Sequence, residues 1–478
     1  MQTVSDPDGA RNAVSITRRT LLCGALGLAA TGSLALAACR RVGAPAEEGP
    51  PKPAKLSGKI RFYTRGGDVE TRGQSEILIP TFKEVYPDVE VEHIIFAAST
   101  ADETYTTKLY TMTAAGDMPD VWGFGQNYMA FWARGMLADL TPFITRDKYD
   151  LNQFHKGLPE IFRINGKYYG IPQLTTFGTL LFYNKDLFAK EGLKPPPVDW
   201  DDTSWTFDVL LDYAKKLTKN PGTPEAIYGL NFAPQRPTML GWLWGGDCFL
   251  PEHYTTGVAP RTQIDSPPSI EAHQWDQDLR WRHHVSPRPG VDPTQGIGFI
   301  QGRYAMDING GWNFWGYTVI KDFRWGAAAV PIKVTNKNVN YNDFWEMGSE
   351  SKNRDAAWAF IKHIASAEIQ RKYSELTGTP PTQKAAMDVW YRRYEGIMTR
   401  EELEKVTQGA IEPKRSQESP DHLFIDWGVK MSRLYSSEIW GPISRNEGNA
   451  RDIITRGKPA YDAVVNEIYN EWKNKLPK

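Results

Sequence analysis

Four carboxylates, Asp247, Asp307, Glu346 and Glu350, are the side chains that could pair as acid and base across a cleft. Glycoside hydrolysis would need two of them about 5–10 Å apart, and sequence alone does not supply that separation. The chain carries no G-x-S-x-G nucleophile elbow, no H-E-x-x-H zinc helix and no phosphate-binding G-x-x-x-x-G-K-[ST] loop. Of 8 His, only His283 and His284 are adjacent. Neighbouring positions point apart on a helix or strand, so they make a poor metal pair. Cys248 has no motif partner and reads as a small buried hydrophobe. Asp199, Asp201 and Asp202 crowd in the Pro-, Asp- and Trp-rich loop Leu193–Trp205, where solvated carboxylates are far commoner than a calcium site. No catalytic residue, cofactor or metal is expected from these patterns.

The charge balance is 56 Lys+Arg against 57 Asp+Glu, without the basic excess of a nucleic-acid binder or the acidity of a disordered tail. Arg18 and Arg19 precede an apolar run from Leu21 to Ala38, the layout of an export signal. The run ends in Leu36-Ala37-Ala38-Cys39, which resembles the lipobox of bacterial lipoproteins, and Thr17-Arg18-Arg19-Thr20-Leu21-Leu22 resembles the twin-arginine export motif. Residues 1–38 are therefore expected to be a signal peptide and Cys39 the lipidated residue. Residues 39–57, with Pro45, Pro50, Pro51 and Pro53, read as a tether. Removing 38 residues with three Arg and two Asp leaves 440, with a net charge of −2. This expectation places the body outside the cytoplasm, anchored to the membrane by lipid.

The body alternates strand and helix. Lys59–Tyr63 reads as a strand, an apolar helical pattern surrounds Pro80, and Val89, Val91, His93 and Ile95 alternate as a second strand. Strand, helix and strand at this spacing make a βαβ unit with a parallel pair. A helix is expected over Glu103–Ala115 and another from Thr206, as N-cap, to Leu217. One amphipathic helix is expected over Asn353–Tyr373, with Trp358 in its core stripe. The pattern is an α/β fold with open parallel or mixed sheets.

Four blocks carry a family resemblance. Phe299-Ile300-Gln301-Gly302-Arg303-Tyr304-Ala305-Met306-Asp307-Ile308-Asn309-Gly310-Gly311-Trp312 resembles the F-x-x-G-x-x-A-M-x-x-x-G-x-W signature of extracellular solute-binding proteins of ABC importers. The carbohydrate-binding, maltose-binding-protein-like family 1 is the nearest match. Gly116–Val121, Gly170-Ile171-Pro172 with Leu181–Phe188, and Trp358–Lys362 with Gly378-Thr379-Pro380-Pro381 are similar to further blocks of that family, in the same order. The stretch Trp345–Ser349 departs from it, and Met387–Asp421 matches no part of it. The resemblance implies a two-lobed periplasmic-binding-protein type II fold with discontinuous lobes and a hinge. It implies an N-terminal lobe from 58–172 and 346–385 and a C-terminal lobe from 173–345 and 386–478. Chain crossings would fall near Pro172–Thr176 and Trp345–Ser349, with a third in the C-terminal region.

A carbohydrate ligand, an oligosaccharide above all, is what the resemblance implies, delivered to ABC permease subunits by a monomeric lipoprotein that is not an enzyme. The 17 Trp, 21 Tyr and 20 Phe fit this, because flat rings cover the apolar faces of sugars at little entropic cost. Trp312 follows Gly310-Gly311 and matches the signature Trp, which stacks on ligand in the family. Trp242 and Trp244 flank Leu243 and, on a strand, would face one side; a packed strand accounts for them equally well. Trp122, Tyr63 and Arg65 stand at carboxyl ends of strands, where open α/β sheets bind ligands. Gln126, Asn127 and Asp247 are polar candidates for sugar hydroxyls, Trp345 lies at the presumed crossing, and Trp440 reads as packing. Two other readings are an extracytoplasmic glycosidase or lyase, and a binding protein for a charged solute. The latter would want clustered Arg for a phosphate ester, or carboxylates for a polyamine.

Overall fold

The computed structural model describes residues 55–96, 103–123, 127–234, 236–293 and 298–476, all within the compact unit Glu48–Lys478. The signal-peptide expectation, Cys39, most of the tether and Gln126 lie outside the described residues.

Alternating strand and helix fold here into two open sheets. In the first, the strands run Val89–Phe96, Gly58–Arg65, Val121–Trp122, Asn342–Met347, Gly170–Thr175. Its first three strands are parallel and its last two pairings antiparallel, so the βαβ unit read from the N-terminal pattern sits in a mixed sheet. The second sheet runs Trp325–Ala328, Thr179–Asn184, Tyr304–Gly310, Tyr228–Phe232. The sequence pattern needed both: apolar alternation such as Ile60 and Phe62 buries one face while helices cover it. His93, in that alternation, stacks on Phe62 at 5.2 Å as a packed strand residue.

The helix Phe207–Leu217 starts where its cap predicts, with the Thr206 hydroxyl accepting from Val209 N at 3.3 Å. The single helix expected over Asn353–Tyr373 is instead two, Arg354–Ile364 and Ala367–Thr377. Ser366 breaks it: its backbone is extended and its hydroxyl accepts from Ile369 N, capping a new helix inside an unbroken apolar stripe. Trp242 and Trp244 are not on a strand. They occupy the helix Thr238–Leu243 and its C-cap, because Gly245, at φ +81°, ends a helix there.

Three segments pass between the sheets. The first, Thr176–Phe177–Gly178, joins Gly170–Thr175 to Thr179–Asn184. The second passes from the strand Asn338–Asn340 through Tyr341 into Asn342–Met347. The third is the strand Ser416–Glu418, parallel to Asn338–Asn340. The second passage lies N-terminal to its expected place at Trp345–Ser349. Glu346 and Met347 pair with Trp122 and Val121 inside the first sheet, so that stretch is sheet interior.

Helices after the third passage close the structure. Ala450–Trp472 packs on Pro267–Trp281, where Asp276 is fully buried between Arg236 Nε and Arg280 Nη1, each at 2.8 Å. Both guanidinium groups lie over the Trp440 ring, at 4.0 and 5.0 Å, which makes that Trp a packing residue. Removing one member of a buried ion group strands the others without water. Asp276→Ala is expected to lose about 3–5 kcal/mol of stability by urea unfolding; a loss below about 1 kcal/mol, the ceiling for exposed pairs, would show the cluster to be solvated.

Candidate functional site

The three passages are braced by one another, as buried irregular backbone requires. Thr176 N donates to Tyr341 O at 3.2 Å, and Ser419 N to Asn340 O at 2.9 Å. Alternate asparagines do the rest. Asn338 Oδ1 accepts from Thr179 N at 2.9 Å while its Nδ2 reaches Phe177 O at 3.4 Å. Asn342 N donates to Glu418 Oε1 at 3.1 Å. Phe177 holds φ at +60°, a costly value for a bulky residue, with its ring buried against Trp390 at 5.0 Å.

On this brace opens a cavity of about 370 Å³, lined by Arg65, Glu70, Leu174, Thr176, Trp312, Trp315, Tyr341, Asp343 and Asp421. Each passage contributes: Thr176 from the first, Tyr341 and Asp343 from the second, Asp421 just beyond the third. The Gly310-Gly311-Trp312 turn has a steric reason. A Cβ on Gly310 would lie 2.2 Å from the Trp312 ring, and one on Gly311 would lie 1.9 Å from Thr176 O. The two glycines let the Trp312 ring fold back over its own strand while the backbone touches the first passage. Trp312 stays 37% exposed, unusual for so large an apolar ring, and meets Tyr341 edge-on at 5.5 Å.

Charge runs along the cavity wall. Arg65 Nη2 lies 3.9 Å from Asp343 Oδ2 and 4.0 Å from Glu70 Oε1. His422 Nε2 lies 3.9 Å from Asp343 Oδ1, and its Nδ1 is hydrogen-bonded to Glu418. Desolvation pulls the His422 pKa down, but the charge and hydrogen bond of Glu418, with Asp343 and Asp421 nearby, outweigh it and hold the imidazole above its ordinary value. Deeper in the first sheet, Glu346 is fully buried and neither carboxyl oxygen has a hydrogen-bond partner. Burial first, then the charge of Asp343, push its pKa well above the carboxylate range. The indole of Trp122, its ladder partner, works against this shift without reversing it.

Of the residues singled out from sequence, Arg65 and Trp312 line the cavity. Tyr63, Trp122 and Asn127 are buried beside it without side-chain partners for their polar atoms. Tyr63 stacks on Tyr105 at 4.7 Å, and Asn127 begins the helix Tyr128–Ala133 in a left-handed conformation. Trp345 is buried against Phe62 at 5.6 Å and covers Gly123 rather than facing the cavity. Trp242, Trp244 and Asp247 belong to the interior around the second sheet. Asp247 accepts from Trp242 Nε1 at 2.8 Å and Tyr254 Oη at 3.0 Å, and Trp244 packs on Phe207 at 5.1 Å. Asp307 is held by the Tyr317 hydroxyl and by Asn231 Nδ2 at 2.7 Å, and Asp201 by Lys414 and Arg415. Sequence reasoning missed Glu70, Thr176, Trp315, Tyr341, Asp343 and Asp421. The alternation Asn338-Val339-Asn340-Tyr341-Asn342 was the available signal, amides on every second residue of a strand whose other face carries Val339 and Tyr341.

Residues 70–371 match the bacterial extracellular solute-binding protein family. The chain belongs to that family. The Multiple sugar-binding protein of Streptococcus mutans is 23% identical over 397 residues, covering 76% of this chain and 83% of the relative. An ABC substrate-binding protein from Listeria monocytogenes, solved in complex with cycloalternan, superposes with a TM-score of 0.68 at 22% identity, over 85% of this chain and 99% of that one. A maltose-bound MalE3 of T. maritima gives 0.63 at 23% identity, over 85% and 99%. The two-lobed α/β fold implied by the sequence blocks is therefore the fold observed. This family and these neighbours are binding proteins rather than enzymes.

Two measurements check the site's construction. Gly311→Ala drives a methyl into the Thr176 carbonyl and is expected to cost about 1–3 kcal/mol in thermal unfolding, the usual cost of overpacking; wild-type stability would show the first passage to be loosely held. Glu346 ionises near 4.5 when unfolded but stays protonated to higher pH when folded. Unfolding between those values releases a proton, so its contribution worsens as pH rises. Glu346→Gln should therefore raise the melting temperature relative to wild type by more at about pH 8 than at about pH 5. An equal difference at both would show Glu346 to ionise normally.

Proposed function

We propose that this protein is the sugar-capturing component of an ABC importer and that the carbohydrate sits in the cavity at the three passages. The single observation that carries this reading is Trp312, a ring left 37% exposed in the wall of that cavity. Such a ring, with Trp315 and Tyr341, offers flat apolar surface for sugar C–H faces, and the Asp, Glu and Thr groups beside it accept from hydroxyls. The names of the relatives support it, since the Streptococcus mutans protein is a multiple sugar-binding protein and the Listeria and Thermotoga structures hold cycloalternan and maltose. The cavity volume of about 370 Å³ lies at the small end of the range for ligand pockets.

In this reading the lobes, mainly 58–172 with 346–385 and mainly 173–345 with 386–478, rotate about the passages, and the boundaries shift to Thr175 and Asn342 where the strands change sheet. Ligand favours the closed form because it touches both sides at once, and the permease reads that form. Exportation through the twin-arginine route, lipidation at Cys39 and a monomeric state complete the proposal. They place the receptor at the outer face of the cell membrane.

The test is a carbohydrate panel read by intrinsic Trp fluorescence and melting temperature. At least one sugar is expected to respond, and Trp312→Ala should weaken it by about 30-fold, the roughly 2 kcal/mol of an interface hot spot. No response to any sugar would sink the assignment, and an unchanged affinity in the variant would remove Trp312 from the site.

A further inference from the structure

We infer that a second cavity, at the far end of the second sheet, binds a phosphate group. This cavity holds about 590 Å³ and shares no lining residue with the one around Trp312. Lys185 lines it directly after the strand Thr179–Asn184, whose other end meets the first passage. A strand of that length spans about 20 Å, so the two sites are separate. The family resemblance gives no reason for this cavity. Arg393 and Ile397, which close one side of it, belong to Met387–Asp421, the stretch that carries none of the family's blocks.

Four cations line the cavity, Lys185, Lys321, Arg324 and Arg393, and no carboxylate is among its lining residues. Among the described residues Arg324 is the only one of the four in an ion pair, its Nε donating to Asp186 Oδ1 at 2.7 Å. The other three donate to backbone carbonyls. Lys185 Nζ reaches Ile397 O at 2.6 Å, Lys321 Nζ reaches Thr318 O at 3.0 Å, and Arg393 Nη1 reaches Glu375 O at 3.2 Å. A carbonyl orients a cation but carries no net charge to cancel it. Burial lowers the Lys185 pKa, and the pull of Glu402 does not offset this with Arg324 nearby. An anion in the cavity supplies the missing charge. Guanidinium and ammonium donors converging from several sides suit phosphate, whose oxygens accept from more than one of them at once. Ile320, Phe323 and Ile397 make the apolar part of the wall, with room for the organic end of a phosphate ester. Val319, between the lining residues Thr318 and Ile320, is 62% exposed, an apolar side chain held in solvent beside the charges. The phosphate is therefore either that of a lipid headgroup or that of a soluble ester.

The experiment has two arms on the full chain. One is isothermal titration calorimetry with inorganic phosphate and glycerol phosphate, with sulfate as the control anion. The other is co-sedimentation with vesicles of equimolar phosphatidylglycerol and phosphatidylcholine, against phosphatidylcholine alone. Lys321→Gln and Arg393→Gln each remove one charge from an exposed position, and melting temperature checks that both variants fold. The expected result is saturable binding in at least one arm, weakened about 10-fold or more by each variant, as the loss of one charge-assisted hydrogen bond predicts. Binding of the soluble phosphates assigns the site to a phosphate in solution. Binding confined to the phosphatidylglycerol vesicles assigns it to a lipid headgroup, and either outcome sustains the inference. Silence in both arms overturns it, as does binding that both variants leave unchanged or that sulfate matches. None of these outcomes touches the carbohydrate reading, which rests on the other cavity.

Discussion

The cavity around Trp312 depends on three stretches of chain lying side by side where the two sheets meet. Irregular backbone cannot be buried unless its amides and carbonyls find partners. Here they find them in one another and in the side chains of Asn338, Asn340 and Glu418. Thr176 N to Tyr341 O and Ser419 N to Asn340 O link first to second and second to third. The brace fixes the position of Thr176, Tyr341 and Asp343, and through Gly311, pressed on the Thr176 carbonyl, it fixes Trp312 as well.

Some polar cost is left standing nearby. Glu346, Trp122, Tyr63 and Asn127 all carry buried polar atoms without partners, close to the strand that follows the second passage. Interior groups of this kind are usually satisfied, and exceptions cluster where function competes with stability. Asp343 sits between Arg65 and His422 without a hydrogen bond to either, so its oxygens are still available to a ligand. A wall assembled from half-engaged groups binds by completing what the fold leaves open.

Much of the fold was legible in the sequence because it is local. The Gly58–Arg65 and Val89–Phe96 strands follow period-2 patterns, and Thr206 caps the helix it should. Trp312 was singled out because it follows two glycines and matches the Trp of the signature block, and it lines the cavity. What could not be read is what only tertiary packing decides. Trp242 and Trp244 look like a strand face until Gly245 ends a helix beneath them. Trp345 looks like a cleft residue, yet Gly123 makes room for its ring inside the sheet. The largest loss was Met387–Asp421. It carries none of the blocks read from the sequence, yet the three-residue strand it leads to, with the turn after it, brings Asp421 to the wall and pairs Glu418 with His422 behind it.

The placement of that last strand sets an order of events during synthesis. Residues facing the cavity come from Arg65 at one extreme and Asp421 at the other, and Ser416–Glu418 can pair only with Asn338–Asn340 after some 75 intervening residues exist. A nascent chain that has emerged as far as Trp312 already owns its most recognisable ring but has no pocket. The complete cavity wall therefore forms only when almost the whole polypeptide has left the ribosome. Under the proposed site, a chain cut short of Asp421 lacks part of the cavity wall.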